Sequence, residues 1–144
     1  MQASASAAAI DPADVKRGSF TICCGAMLGA LGVMSGAFGA HALRDILSQS
    51  QLHTWEVAAH YHLVHSLAAV GIGLFHRVSA NSHRVLVAAG SLMVVGVVVF
   101  SGSLYVLVLT DLKMFGMFTP VGGVAMISAW LTLAYACVRD RCSW

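Results

Sequence analysis

The sequence predicts an all-α integral membrane protein, a four-helix bundle running up-down-up-down with both termini on one side of the bilayer. Two observations carry this. Of the 144 residues, 58% are hydrophobic and 10% charged, with a mean hydropathy of +0.81, whereas soluble domains carry about 25% charged residues. Four apolar runs are each long enough to cross a hydrocarbon core of about 30 Å, which takes roughly 20 helical residues. A backbone in lipid must satisfy its own hydrogen bonds, and continuous apolar runs exclude the alternation of a membrane barrel.

Residues 1–18 read as a polar tail rich in Ala and Ser. Its first stretch, MQASASAAAIDPADV, carries two aspartates and no arginine, unlike a cleavable transit peptide. The transmembrane domain spans 19–138, with helices expected at about 19–41, 55–76, 85–109 and 119–138. Residues 139–144 form a short basic tail. The fourth helix has the clearest start, because Thr119 can cap it and Pro120 sits where a missing N–H costs nothing. The links are short, which makes sequential helices antiparallel neighbours.

Topology follows from the basic residues near the helix ends. Lys16, Arg17, Arg77, Arg84, Arg139 and Arg141 gather on one side, and Arg44 and Lys113 on the other. Both termini therefore face the cytoplasm or, in a mitochondrion, the matrix. A net charge of +2 supplies no basic surface for nucleic acid. Cys23, Cys24, Cys137 and Cys142 show neither a C-x-x-C pair nor zinc-site spacing.

Helix 1 carries glycines at 25, 29, 32, 36 and 39, intervals of 4, 3, 4 and 3. A repeat averaging 3.5 keeps Gly25, Gly29, Gly32, Gly36 and Gly39 on one face, where another helix can approach closely. Gly122, Ala125 and Ala129 form a matching stripe on helix 4. These stripes either seal the bundle internally or grip a partner protein.

With this topology, most polar groups entering the membrane lie in one leaflet. They are His41, Tyr61, His62 and His65 from helices 1 and 2, Ser101, Ser103 and Tyr105 from helix 3, and Thr119 from helix 4. His65 falls roughly 15 Å deep, near the midplane, where an ionisable residue is a functional hypothesis by default. Three readings of the histidines compete: a buried network fixing helix register, a metal or haem site, and a proton or quinone site. His53, His76 and His83 read as interfacial. No metal site is assigned, because no carboxylate falls at a familiar ligand interval such as H-E-x-x-H. No Ser-His-Asp arrangement or phosphate-binding loop is present, so no catalytic residue is assigned and the chain is expected not to be an enzyme.

The ordered motifs Gly36-Ala-Phe-Gly-Ala-His41, Trp55 with Tyr61-His-Leu-Val-His65-Ser, Phe100-Ser-Gly-Ser-Leu-Tyr105 and Thr119-Pro-Val-Gly-Gly123 resemble those of the transmembrane protein 256-like family. The resemblance spans about residues 24 to 135. It implies four spans and a family whose function is unknown, with no catalytic residues to carry over. His60 and His62 lie outside the matching pattern. Because eukaryotic relatives look mitochondrial, the resemblance implies a non-catalytic accessory subunit of a respiratory complex in the mitochondrial inner membrane. Its partners would be other membrane subunits and lipids, with no cofactor beyond a phospholipid bound at the groove. The alternatives are an autonomous small transporter or channel-like protein of the plasma or another membrane and, third, a haem- or quinone-binding protein.

Overall fold

A computed structural model describes residues 12–79 and 83–141, for His83, Asp140 and Arg141 the backbone alone. Parts of both expected tails, residues 1–11 and 142–144 with Cys142, lie outside the described residues. The chain is helical almost throughout: α1 (Pro12–Phe38) continued by a π-helical turn (Gly39–Leu43), α2 (Gln49–Val78), α3 (His83–Thr110), a 3₁₀ turn (Lys113–Met117) and α4 (Thr119–Arg141). All four helices are long and apolar enough to span a membrane. This is the four-helix membrane bundle that hydropathy predicts.

The helix ends extend past the apolar runs, and local chemistry explains where they stop. Pro12 opens α1, in the first turn where its missing N–H is no loss. Ser48 and Gln51 form a capping box at α2, the serine hydroxyl accepting from the Gln51 N–H and the Gln51 side chain from the Ser48 N–H. After α3 the chain reverses at Asp111, whose φ of 55° is a left-handed conformation that aspartate tolerates better than most residues. Thr119 is the first residue of α4 rather than its cap, and its hydroxyl is bonded to α3 instead.

α2 and α3 form the centre. α1 packs along α2 and touches the edge of α3, while α4 packs along α3, and among the described residues α1 and α4 share no extensive contact. The two flanking helices are accordingly the least buried. Ala69, Ile72, Ala89, Met93, Val97, Met126 and Ala129 make the core along the α2–α3–α4 seam. The large exposed apolar side chains, such as Phe20, Leu67 and Leu131, lie on outward faces where lipid tails are their solvent.

The glycine seam divides into two rows. Gly25, Gly32 and Gly39 face α2 and extend backwards to Gly18, a seven-residue spacing that holds one helix line against a neighbour. A Cβ on Gly25 would lie 2.9 Å from the Ser66 carbonyl oxygen, and one on Gly18 2.9 Å from the Gly73 carbonyl oxygen. Gly36, by contrast, has nothing within 4 Å, and Gly29 meets only Ser66 Cβ at 3.9 Å. The expectation that all five glycines form one packed seam is corrected: α2 follows the 18/25/32/39 line and leaves 29 and 36 at its margin. On α4, Gly122 and Ala129 are buried and Ala125 half-buried.

This split has a measurable consequence. Gly25→Ala is expected to destabilise the protein by about 1–3 kcal/mol, since backbone atoms cannot move aside. Gly36→Ala is expected to be neutral or stabilising by up to about 1 kcal/mol, because alanine is the better helix former. Unfolding both variants in the same detergent distinguishes them, and equal effects would contradict the division of the seam.

Candidate functional site

The residues singled out in one leaflet do not form a single cluster. α2 separates them into a braced interior and an open side. His41 joins neither: it lies exposed in the π-helical turn, where the wider winding turns it out of line with the preceding helix.

In the interior, each helix pair is tied by a polar contact. Trp55, 5% exposed, donates its indole N–H to the Ser35 carbonyl of α1 at 2.8 Å. Its ring fits where Gly39 has no side chain, since a Cβ there would lie 2.5 Å from Trp55 Cδ1. It also lies 4.5 Å, centroid to centroid, from Tyr105. His62, buried, places Nδ1 3.3 Å from the Tyr105 hydroxyl, and Ser101 donates to the Ala58 carbonyl at 2.9 Å, both joining α2 to α3. Ser103 donates to the Phe100 carbonyl at 2.9 Å, so its oxygen accepts from Thr119 at 2.9 Å and ties α3 to α4. Hydrocarbon offers these groups no alternative partners, so each bond fixes a helix register.

The open side holds His65, at the middle of a 30-residue helix about 45 Å long. Its Nδ1 lies 2.9 Å from the Tyr61 carbonyl. A carbonyl only accepts, so Nδ1 carries a proton, and in the neutral ring Nε2 is the acceptor. Tyr61 stacks on His65 at 5.4 Å and on Phe100 at 4.8 Å, and Trp130 of α4 meets His65 edge-on at 6.3 Å. Tyr61 is 40% exposed. This row of rings runs across α2, α3 and α4 at mid-membrane depth.

His62 and His65 therefore face different neighbours, and His41 is remote from both in its contacts. The three imidazoles that the metal or haem reading would need together are not brought together. Among the described residues no three His, Cys, Asp or Glu side chains are placed to hold a metal ion.

Two features escaped sequence reasoning. Trp55 and Ser35 form the α1–α2 tie, signalled only by the coincidence of a tryptophan near one helix end with a glycine near the other. At the opposite membrane face, His76 is 1% exposed, with Nε2 3.8 Å from Asp14, which lies 3.4 Å from Arg17. His76 was expected at the interface; the start of α1 at Pro12 instead covers it. The polar groups thus occupy both ends of the bundle, not one leaflet alone.

The model of a family described as a protein of unknown function, DUF423, matches residues 35–123. A UPF0382 membrane protein of Staphylococcus epidermidis is 42% identical over 118 residues, covering 82% of this chain and 94% of the relative. One from Staphylococcus aureus is 42% identical over 115 residues, covering 80% and 92%, and that of Bacillus subtilis, YwdK, is 37% identical over 118 residues, covering 82% and 95%. No solved structure matches. These bacterial relatives overturn the expectation of an accessory subunit in a mitochondrial respiratory complex, which rested on analogy with mitochondrial-looking eukaryotic proteins rather than on any residue of this chain. An integral membrane protein of four spans, the chain belongs to the DUF423 family.

Proposed function

We propose that this is a non-enzymatic plasma-membrane protein that passes a proton or small polar solute through the membrane midplane, with His65 as the group that engages it. The bacterial relatives support the plasma membrane as its location. The observation that carries the function is the contrast between the two histidines of α2. His62 is packed and bonded to Tyr105, whereas His65 is half-buried and keeps Nε2 as an acceptor. A neutral imidazole so placed accepts a proton at Nε2 and releases one from Nδ1, the chemistry that suits it to relay. An ionisable side chain at this depth is otherwise costly. Kinship with the transmembrane protein 256-like family is part of the proposal and rests on the four ordered motifs.

The test is flux into proteoliposomes driven by a pH gradient, read with an internal pH dye. The wild type is expected to exceed empty vesicles. His65→Ala is expected to lower the rate at least about tenfold, within the range that a positioned proton-transfer group contributes. Tyr61→Phe is expected to retain it, because His65 bonds to the Tyr61 backbone and not to its hydroxyl. Wild-type flux equal to that of empty vesicles, for protons and for small solutes alike, would contradict the reading.

A further inference from the structure

We infer that the outward groove between α1 and α2 is a binding site for one phospholipid of the outer leaflet with an ethanolamine headgroup. Two cavities lie one above the other on the same face of this helix pair. The deeper, of about 450 Å³, is apolar and runs past Gly29 and Val33 of α1 and Leu63 and Leu67 of α2. The shallower, of about 400 Å³, is lined by Arg44, Asp45, Gln49 and Glu56. Glu56 of the shallower cavity and Leu63 and Leu67 of the deeper recur at intervals of seven and four on α2, so the cavities share one stripe of that helix. On α1, Gly36, with no neighbour within 4 Å, keeps the groove low between them.

The charges at the mouth select the occupant. Arg44 is one of only two basic residues on this side of the protein. Among the described residues neither it nor Asp45 nor Glu56 belongs to an ion pair. One guanidinium and two carboxylates around one cavity match a zwitterion: the phosphodiester accepts from Arg44, and the ammonium donates to Asp45 and Glu56. The excess carboxylate disfavours an anionic headgroup. A choline headgroup has the same net charge but no N–H to donate. The seven residues from Glu56 to Leu63 rise about 10 Å, which leads an acyl chain from the headgroup layer into the apolar cavity.

Native mass spectrometry of the full chain in mild detergent tests this, with phosphatidylethanolamine, phosphatidylcholine and phosphatidylglycerol of identical acyl chains supplied in equal amounts. The expected result is one ethanolamine lipid per chain, preferred about tenfold over either competitor, the scale of a lost charge-assisted hydrogen bond. Glu56→Gln and Arg44→Gln, both at exposed positions, are expected to abolish the preference without altering the melting temperature. Gly29→Leu, which fills the deeper cavity, is expected to weaken retention of all three lipids. Equal retention of the three lipids by the wild type, or a preference untouched by both charge variants, would overturn the inference. So would a lipid-free dimer, which would assign the groove to a second copy of the chain.

Discussion

Gly122→Ala is expected to destabilise the protein by about 3 kcal/mol or more, at the upper end of overpacking effects. The new Cβ would stand against the Phe100 backbone nitrogen and 2.7 Å from the Phe100 Cα. Neither atom can rotate away, and Gly96 of α3 also lies close to the α4 backbone, a Cβ there falling 3.0 Å from the Met126 nitrogen and 3.1 Å from the Gly122 carbonyl oxygen. α4 has no other extensive neighbour, so its separation from α3 removes the Ser103–Thr119 tie as well. Gly123→Ala is the matched control, since its Cβ would meet only the Phe100 ring at 3.9 Å. Denaturant titration of both variants, followed by circular dichroism, is expected to show loss at 122 and little change at 123. Similar midpoints for the two would refute backbone contact as the basis of α3–α4 packing.

Trp55→Ala is expected to cost about 3–5 kcal/mol, the usual range for emptying a buried aromatic site. The indole packs on Phe38 and Tyr105 and bonds to the Ser35 carbonyl, so its loss loosens this end of α2 from both α1 and α3. Trp55→Phe keeps most of the ring and is expected to cost only about 1 kcal/mol, the net worth of one hydrogen bond. Should the phenylalanine variant be as unstable as the alanine variant, the hydrogen bond and not the packing would dominate.

Hydropathy and the placement of eight basic residues made the four spans legible, because lipid leaves few alternatives to a helix. The ends were less legible, although the signals were present. Pro12 opens α1 seven residues before its apolar run, and Ser48-Gln-Ser-Gln51 is a capping-box pattern ahead of α2. The polar residues could be found from sequence, but not their division. Positions three apart differ by about 60° around a helix, enough to turn His62 towards Gly32 of α1 and Tyr105 of α3 while His65 meets Trp130 of α4. His62 and His65 consequently acquire different neighbours. His41 was misplaced because a π-helical turn shifts the phase after Phe38, and no periodicity argument anticipates such a turn. The choice between Gly25 and Gly29 depends on the line along which α2 crosses, which a 3.5-residue repeat leaves open.

The division of α2 into a bracing side and a working side is tested most directly by measuring stability and flux together for His62→Ala and His65→Ala. His62→Ala, which empties a buried site and strands the Tyr105 hydroxyl, is expected to lose about 1–2 kcal/mol of stability while flux per folded protein is retained. His65→Ala is expected to keep its stability and lose its flux. If both variants lose stability alike and neither changes flux, His65 is a packing residue and the functional assignment is wrong.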